Sequence, residues 1–398
     1  MRILVLGIDG YIGFPLALHL LQKGHEVCGV DNYSRRFRVG QVRSNSLTPI
    51  ATGLDRELGL KEYPNFIDRI SRITLGDEYN SDNLRHILKE LQPDCIVHLA
   101  EQPSAPYSMM GVETASITQQ ENVIGTLQLL WAMQNERSKA HLVKLGTMGE
   151  YGTPAVEIPE GKISRYGCMF LKPYKSGNLD IKPVCPLRGL SFPRTPNSFY
   201  HASKVMDTIN IEFVCRNWGL SSTDIMQGVV FGLGPFTEEK LLTRFDYDEY
   251  FGTVINRFCV QALISHPLTI YGYGQQTRGF ITLSDSIQCL TLAIENPAEE
   301  GEYRTLNQFE NIYSVTETAS MVCYAANELD ISHIIENIPN PRNESENHYY
   351  RPEHQKLFDL GYVPTIDIQS EITKLIEQLL PYKDRIIEKV IMPTTKWV

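Results

Sequence analysis

Tyr200 and Lys204 stand four residues apart in Tyr200-His201-Ala202-Ser203-Lys204, a run that reads as helix. Residues i and i+4 share a helix face, so the phenol and the ammonium point into one small volume. A free phenol ionises near pH ~10, too high for a base at neutral pH, and a neighbouring cation stabilises its phenolate. Thr147 follows the apolar run Leu142–Leu145, within Gly146-Thr147-Met148-Gly149-Glu150-Tyr151-Gly152. Active residues of parallel sheets sit just past such strand ends. Its hydroxyl is placed to link a substrate hydroxyl to Tyr200. The chemistry this set points to is proton removal from an alcohol. The bland alternatives are a surface Tyr–Lys pair and a threonine that caps a turn.

A second cluster supplies a hydride acceptor. Gly7-Ile8-Asp9-Gly10-Tyr11-Ile12-Gly13 follows the first apolar run and opens the first helical one. Gly7 can turn tightly, Gly10 lets backbone approach a pyrophosphate, and Gly13 allows close helix–strand packing. The helix N-terminus adds free N–H donors. Asp31 ends the second apolar run, where an acid binds the adenosine ribose hydroxyls and repels a 2′-phosphate. NAD is therefore expected over NADP, although Arg35 and Arg36 stand close by. The expected cofactor wall also takes in Asp9, Tyr11, Ile12, Asn32, Asp77, Leu99, Ala100, Glu101, Asn122 and Val230, with Tyr200 and Lys204.

These residues need a scaffold. Ile3–Leu6, Glu26–Val30, Ile70–Leu75, Cys95–Leu99 and Leu142–Leu145 read as buried strands. Phe14–Lys23, Asp82–Leu91 and Asn122–Gln134 read as the helices between them. That alternation predicts an α/β fold, a doubly wound parallel Rossmann sheet. Pro154–Pro196 breaks the rhythm as a long insertion, and a helix at Ser198–Asn217 and a strand at Thr223–Val230 resume it. The expected units are 1–230, cofactor binding, and 231–398, a smaller α/β substrate domain. Residues 280–297 are expected to return to the first unit as a strand and helix.

With 398 residues, 42% hydrophobic, the chain is long enough for this plan, and its net charge of -10 argues against nucleic-acid or membrane partners. The eight cysteines form no C-x-x-C pair, so no metal site is expected and a reducing, cytoplasmic setting is. No leader segment is expected before the first strand.

Thr147, Tyr200, Lys204 and Asn122 resemble the catalytic threonine, tyrosine and lysine and the structural asparagine of the extended short-chain dehydrogenase/reductase family. Gln102–Met109, His141–Gly152, Gln227–Gly232, Asn256–Ala262, Gln276–Gly279, Asn307–Phe309 and His348–Tyr350 resemble, more closely, the UDP-sulfoquinovose synthase family. That resemblance implies UDP-glucose and sulfite as substrates. It also implies C4 oxidation by bound NAD, loss of the 6-hydroxyl, sulfite addition at C6 and re-reduction at C4. Ordinary sugar 4,6-dehydratases of the superfamily carry an Asp-Glu pair after the threonine, where Met148 and Gly149 stand here. Glu150 and His201 are then the candidates for the C5 and C6 protons, against a solvated loop carboxylate and a packed helix residue. Relatives carry arginine at Pro103. Either another cation replaces its charge, with Lys144 or a basic residue of the insertion (Lys172, Lys175, Lys182, Arg188, Arg194, most of them expected to be solvated) as candidates, or sulfite binds less tightly, or the nucleophile differs. The expected UDP-sugar site is Gln102, Ser104, Thr147, Gln227, Arg257, Gln276, Thr277, Arg278, Arg342, His348 and Tyr349. Arginine's planar fork suits a diphosphate. Arg257 has a helix-surface salt bridge as its alternative. The resemblance also implies a homodimer through helices near 115–135 and 200–217. Two other functions stay open: a UDP-sugar 4-epimerase, and a non-catalytic NAD-sensing or scaffold protein.

Overall fold

The computed structural model describes residues 1–77, 81–154, 156–163, 190–332, 334–342 and 350–397. Seven strands form one sheet: β1 (Arg2–Leu6), β2 (Glu26–Val30), β3 (Phe66–Ser71), β4 (Cys95–His98), β5 (His141–Thr147), β6 (Ser222–Gln227) and β7 (Tyr303–Gln308). Their spatial order is β7-β6-β5-β4-β1-β2-β3, and every neighbouring pair is parallel. Central strands buried on both faces explain the unbroken apolar runs: Ile3, Leu4, Val5 and Leu6 have no exposed surface. The order reverses between β1 and β4, and a crevice opens beyond their carboxyl ends. The loop after β1 enters helix α1 (Gly13–Gln22) there.

Three expectations need correction. The third strand lies at 66–71, not 70–75, pairing Val27 with Phe66 and Val30 with Ser71. Ile73 and Leu75 are buried, but in the loop beyond the strand, where they line the crevice. An apolar run does not separate a strand end from a buried loop. The run Thr223–Val230 is not one strand. It breaks at Gly228, and Val229–Phe231 leaves the large sheet to pair with Thr277–Thr282 in a three-stranded sheet completed by Asn311–Ser314. A Cβ at Gly228 would stand 2.6 Å from the Gly279 carbonyl oxygen, so only glycine permits this crossing. The stretch 280–297 also divides. Its strand belongs to the small sheet, whereas helix Leu283–Glu295 packs Ile287, Leu290 and Ile294 into the core that holds Phe14 and Leu18 of α1. The strand that joins the large sheet is β7, which the sequence reading passed over.

The helical stretch from Asn122 contains a surprise. Gln120–Ile124 is a π-helical turn leading into the α-helix Gly125–Asn135. Helix Phe199–Trp218 begins at Ser198, whose hydroxyl accepts the His201 N–H at 3.1 Å, and ends at Gly219 with φ 75°. Residues 164–189 of the expected insertion lie outside the described residues. Cys95, Cys215, Cys259 and Cys289 are buried free thiols, and Cys28 is buried too.

The α1 entry depends on Gly13. A Cβ there would overlap the Gly7 carbonyl oxygen and stand 2.9 Å from its carbon. Backbone, not a flexible side chain, would have to move. Gly13→Ala is expected to cost about 1–3 kcal/mol of stability, read as a lower urea midpoint. An unchanged midpoint would show that the turn relaxes freely.

Candidate active site

The crevice continues into one cleft of about 510 Å³ that runs from the α1 loop to the small sheet. At one end lie Gly7, Gly10, Tyr11, Ile12 and Gly13, with Asp31 and Asn32 beside them. Gly7 has φ 87°, and a Cβ on it would stand 2.7 Å from the Leu99 carbonyl. The glycines thus leave a bare backbone cradle at a helix N-terminus, the shape and polarity a pyrophosphate needs. The Asp31 carboxylate accepts the backbone N–H groups of Asp9 at 2.8 Å and Tyr33 at 2.6 Å. Burial, and then Asp9, push its pKa up to about 6. Both doubtful arginines are committed to carboxylates. Arg36 grips Asp9 at 2.6 and 2.7 Å, and Arg35 grips Asp246 at 2.8 and 3.0 Å. Neither is spare for a 2′-phosphate, so this end fits NAD.

Leu99, Ala100, Glu101 and Val230 line the same wall. Four expected cofactor residues do not, Arg36 among them, its guanidinium turned onto Asp9. Asp9 is held by Arg36 and Arg56 beneath the loop. Asp77 is not among the cleft-lining residues, and its carbonyl accepts from Gln128. Asn122 is a brace behind the wall: its side chain accepts the Gln102 N–H at 2.8 Å and donates to Ser203 Oγ at 2.9 Å. Gln102 is likewise fully buried, donating to Thr118 Oγ1 and the Ser104 carbonyl, so it does not face a substrate.

Thr147, Tyr200, Lys204 and His201 all line the middle of the cleft. Thr147 Oγ1 accepts the Gly149 N–H at 3.2 Å, so the threonine caps its turn as well as facing the cleft. Accepting that bond leaves its O–H to donate. Lys204 shares the face of Tyr200, but its ammonium is paired with Glu101. Burial and then Glu101 hold the Tyr200 phenol well above its ordinary value. Burial works against the Lys204 charge, yet Glu101 and Asp207 outweigh it and hold its pKa up. A cation near the nicotinamide position would lower the phenol.

Glu150 differs from expectation. Its carboxylate has no exposed surface and is bound to Arg194, to Thr208 Oγ1 at 3.1 Å and to Lys144 at 3.4 Å. It sits under the cleft, sealed by that network. Lys144 is sealed with it, also bonding Asp224 and the Lys204 carbonyl. Neither Lys144 nor Arg194 therefore replaces a charge at Pro103, which does line the cleft. Lys172, Lys175, Lys182 and Arg188 lie outside the described residues.

His201 is different again. Its Nδ1 lies 2.6 Å from Asn197 Oδ1 and 3.0 Å from Ser198 Oγ. An amide oxygen only accepts, so Nδ1 carries the proton and Nε2 keeps its lone pair. Burial, then Arg278 and Arg342, lower its pKa to about 3, so the ring is neutral. A Cβ at Gly149 would run into this ring. Glycine at 149 is what lets an imidazole stand there.

The far end gathers Arg257, Arg278, Arg342, Gln276, Gln227, Ser104 and Tyr350. Arg257 makes no helix-surface salt bridge. It is 5% exposed, donates to the Thr269 carbonyl at 2.9 Å and lies 4.3 Å over the Tyr271 ring. Its Nη1, and Gln276 Oε1, have no hydrogen-bond partner among the described residues. A buried, half-satisfied guanidinium on a cavity wall is a site for an anion. Thr277 is not on the wall, and His348 and Tyr349 lie outside the described residues. Sequence reasoning missed the segment Asp248–Thr253 and Trp397, all on the wall. Phe251 stacks under Arg35 at 3.9 Å. The aromatic run Tyr247-Asp248-Glu249-Tyr250-Phe251, rich in side chains for a loop, was the available signal.

The NAD dependent epimerase/dehydratase family matches residues 3–176 and 183–307. Over 401 residues the chain is 43% identical to the chloroplastic UDP-sulfoquinovose synthase of Spinacia oleracea, covering 100% of this chain and 79% of that protein. It is 44% identical to the UDP-sulfoquinovose synthase of Sulfolobus acidocaldarius, covering 100% of this chain and 98% of that one. A Thermus thermophilus UDP-glucose 4-epimerase, solved as a complex with NAD, shares the fold with a TM-score of 0.62 at 21% identity, over 95% of this chain and 99% of that chain. The chain belongs to the NAD-dependent epimerase/dehydratase family, on its UDP-sulfoquinovose synthase branch.

Proposed function

We propose that the protein joins UDP-glucose and sulfite into UDP-sulfoquinovose with release of water, as a homodimer. One observation carries this beyond the family assignment. The cleft that holds Thr147, Tyr200 and Lys204 has no carboxylate at 148 or 149, and His201 fills that space. When bound, NAD supplies reversible hydride exchange at sugar C4, so the cycle has no net oxidation. Tyr200, through Thr147, takes the proton of the 4-hydroxyl and later returns it. With C4 as a ketone the C5 proton is acidic, and His201, which lines this wall and keeps a lone pair on Nε2, is the base assigned to it. Loss of that proton and of the 6-hydroxyl leaves an enone. The sulfite sulfur adds its lone pair at C6, and a proton returns to C5.

The diphosphate belongs with Arg257, Arg278 and Arg342. Two of these cations, Arg278 and Arg342, depress the His201 pKa. A bound diphosphate offsets their field and makes the imidazole a stronger base. Substrate binding thereby prepares the group that uses it.

The dimer rests on an apolar face. Ile117, Ile124 and Trp131 recur every seven residues, and Phe199, Met206, Ile209 and Phe213 form a stripe on the helix packed beside them; all are exposed. A stripe of this size on two adjacent helices marks an association surface.

Incubation with UDP-glucose and isotopically labelled sulfite is expected to give a labelled UDP-sulfosugar by mass spectrometry, and Tyr200→Phe to give at least a hundredfold less, roughly the scale of general-base catalysis. UDP-galactose without any sulfonated product would replace this reading with an epimerase. In solvent deuterium, His201→Ala is expected to abolish exchange at C5. Glu150→Gln in a folded enzyme retains it, and the reverse pattern would return the proton to Glu150. Sedimentation is expected to show a dimer, and Phe213→Glu a folded monomer; a dimer in that variant would place the interface elsewhere.

A further inference from the structure

Residues 391–397 run from Ile391, buried in the core of the smaller unit, to Trp397 on the cleft wall and are pinned along the way. Glu249 accepts the Thr394 N–H and hydroxyl at 2.7 Å each, and its other oxygen accepts the Thr395 N–H at 2.7 Å. The Tyr250 hydroxyl meets both threonine hydroxyls, at 3.2 and 2.9 Å. The Trp397 N–H donates to the Pro341 carbonyl at 2.9 Å, one residue before Arg342. These bonds bring the Trp397 ring to 5.4 Å from the Arg342 guanidinium. Arg342 lies 5.9 Å from the Tyr271 ring, and Tyr271 lies 4.3 Å from Arg257, which also stands 5.3 Å from the Phe258 ring. Ring and guanidinium thus alternate: Trp397, Arg342, Tyr271, Arg257, Phe258.

We infer that Trp397 is a positioning residue for the nucleotide sugar, holding Arg342 in the orientation that grips the diphosphate, with Glu249 as the anchor of its segment. This rests on the diphosphate reading above and deepens it. An arginine side chain loses much rotamer freedom on binding an anion, and a ring stacked on it beforehand removes part of that cost. A ring face attracts the guanidinium without neutralising it, whereas a carboxylate would compete with the phosphate. Trp397 touches no reacting atom in this arrangement, so its effect falls on binding and not on the chemical step.

The test uses the NAD-loaded enzyme and UDP as probe, by titration calorimetry, with KM and kcat for UDP-glucose alongside. Trp397→Ala is expected to weaken UDP and raise KM by about five- to tenfold with kcat kept, the scale of a part-buried cation–π contact. Trp397→Phe restores most of the affinity. Glu249→Ala, which frees the segment, gives a similar loss. In an Arg342→Ala background, Trp397→Ala costs nothing further. Equal UDP affinity in wild type and Trp397→Ala overturns the inference, as does full additivity with Arg342→Ala or a loss confined to kcat. No UDP binding by the unaltered enzyme overturns the diphosphate reading itself, a separate result.

Discussion

Everything in the cleft is hung from a buried knot of charge beneath it. Lys144 sits in the middle of β5 with no exposed surface, and its ammonium reaches Glu150, Asp224, Thr208 and the Lys204 carbonyl. Arg194 closes on Glu150 from the other side, and the Tyr303 hydroxyl donates to Asp224 at 2.6 Å. The knot ties three strands, the loop after Thr147 and the helix of Tyr200. Ions taken out of water are repaid only by good geometry, and removing one partner strands another at a cost of about 3–5 kcal/mol. That penalty is what makes the knot a register device. Thr147 and Tyr200 belong to segments that cannot slide past one another without breaking it.

What the sequence displayed, it displayed through local backbone rules. A glycine that must turn left, a glycine against which a helix must pack, and an acid at a strand end are each set by their own few neighbours. Tyr200 and Lys204 share a face because a helix has a fixed period. Glu150 was misjudged for the opposite reason. Its carboxylate is held by Lys144, Arg194 and Thr208, the last two far along the chain, and nothing adjacent to it announces them. The break at Gly228 was hidden likewise, because the carbonyl that demands glycine there belongs to Gly279. Trp397 had no local signal beyond being a large aromatic near the end of the sequence.

The arginines of the cleft are sorted by partner. At the cofactor end Arg35, Arg36 and Arg38 are each closed onto a carboxylate, Asp246, Asp9 and Glu121. Paired in this way they brace the loops and draw no anion. At the far end Arg257 and Arg342 lean on aromatic faces, which leaves their charge directed outward. A chain of net charge -10 can therefore hold an acidic substrate, because the local partner and not the total decides where positive potential survives.

The same reasoning bears on Met148 and Gly149. Met148 is drawn into a small apolar cluster with Tyr151, Met226 and Phe309, and Gly149 yields its space to the His201 ring. Two carboxylates in these positions would serve the loss of water but would face the group that arrives next. In the proposed reaction that group is sulfite, an anion. Two like charges ~4 Å apart at an effective dielectric near 20 repel by about 4 kcal/mol, enough to slow an addition about a thousandfold. In that proposal a neutral imidazole would take the C5 proton without standing guard against the nucleophile. Burial in this cleft holds the ring in that neutral state, and on the proposed reading a diphosphate on its two arginine neighbours would raise its basicity only once the sugar is in place.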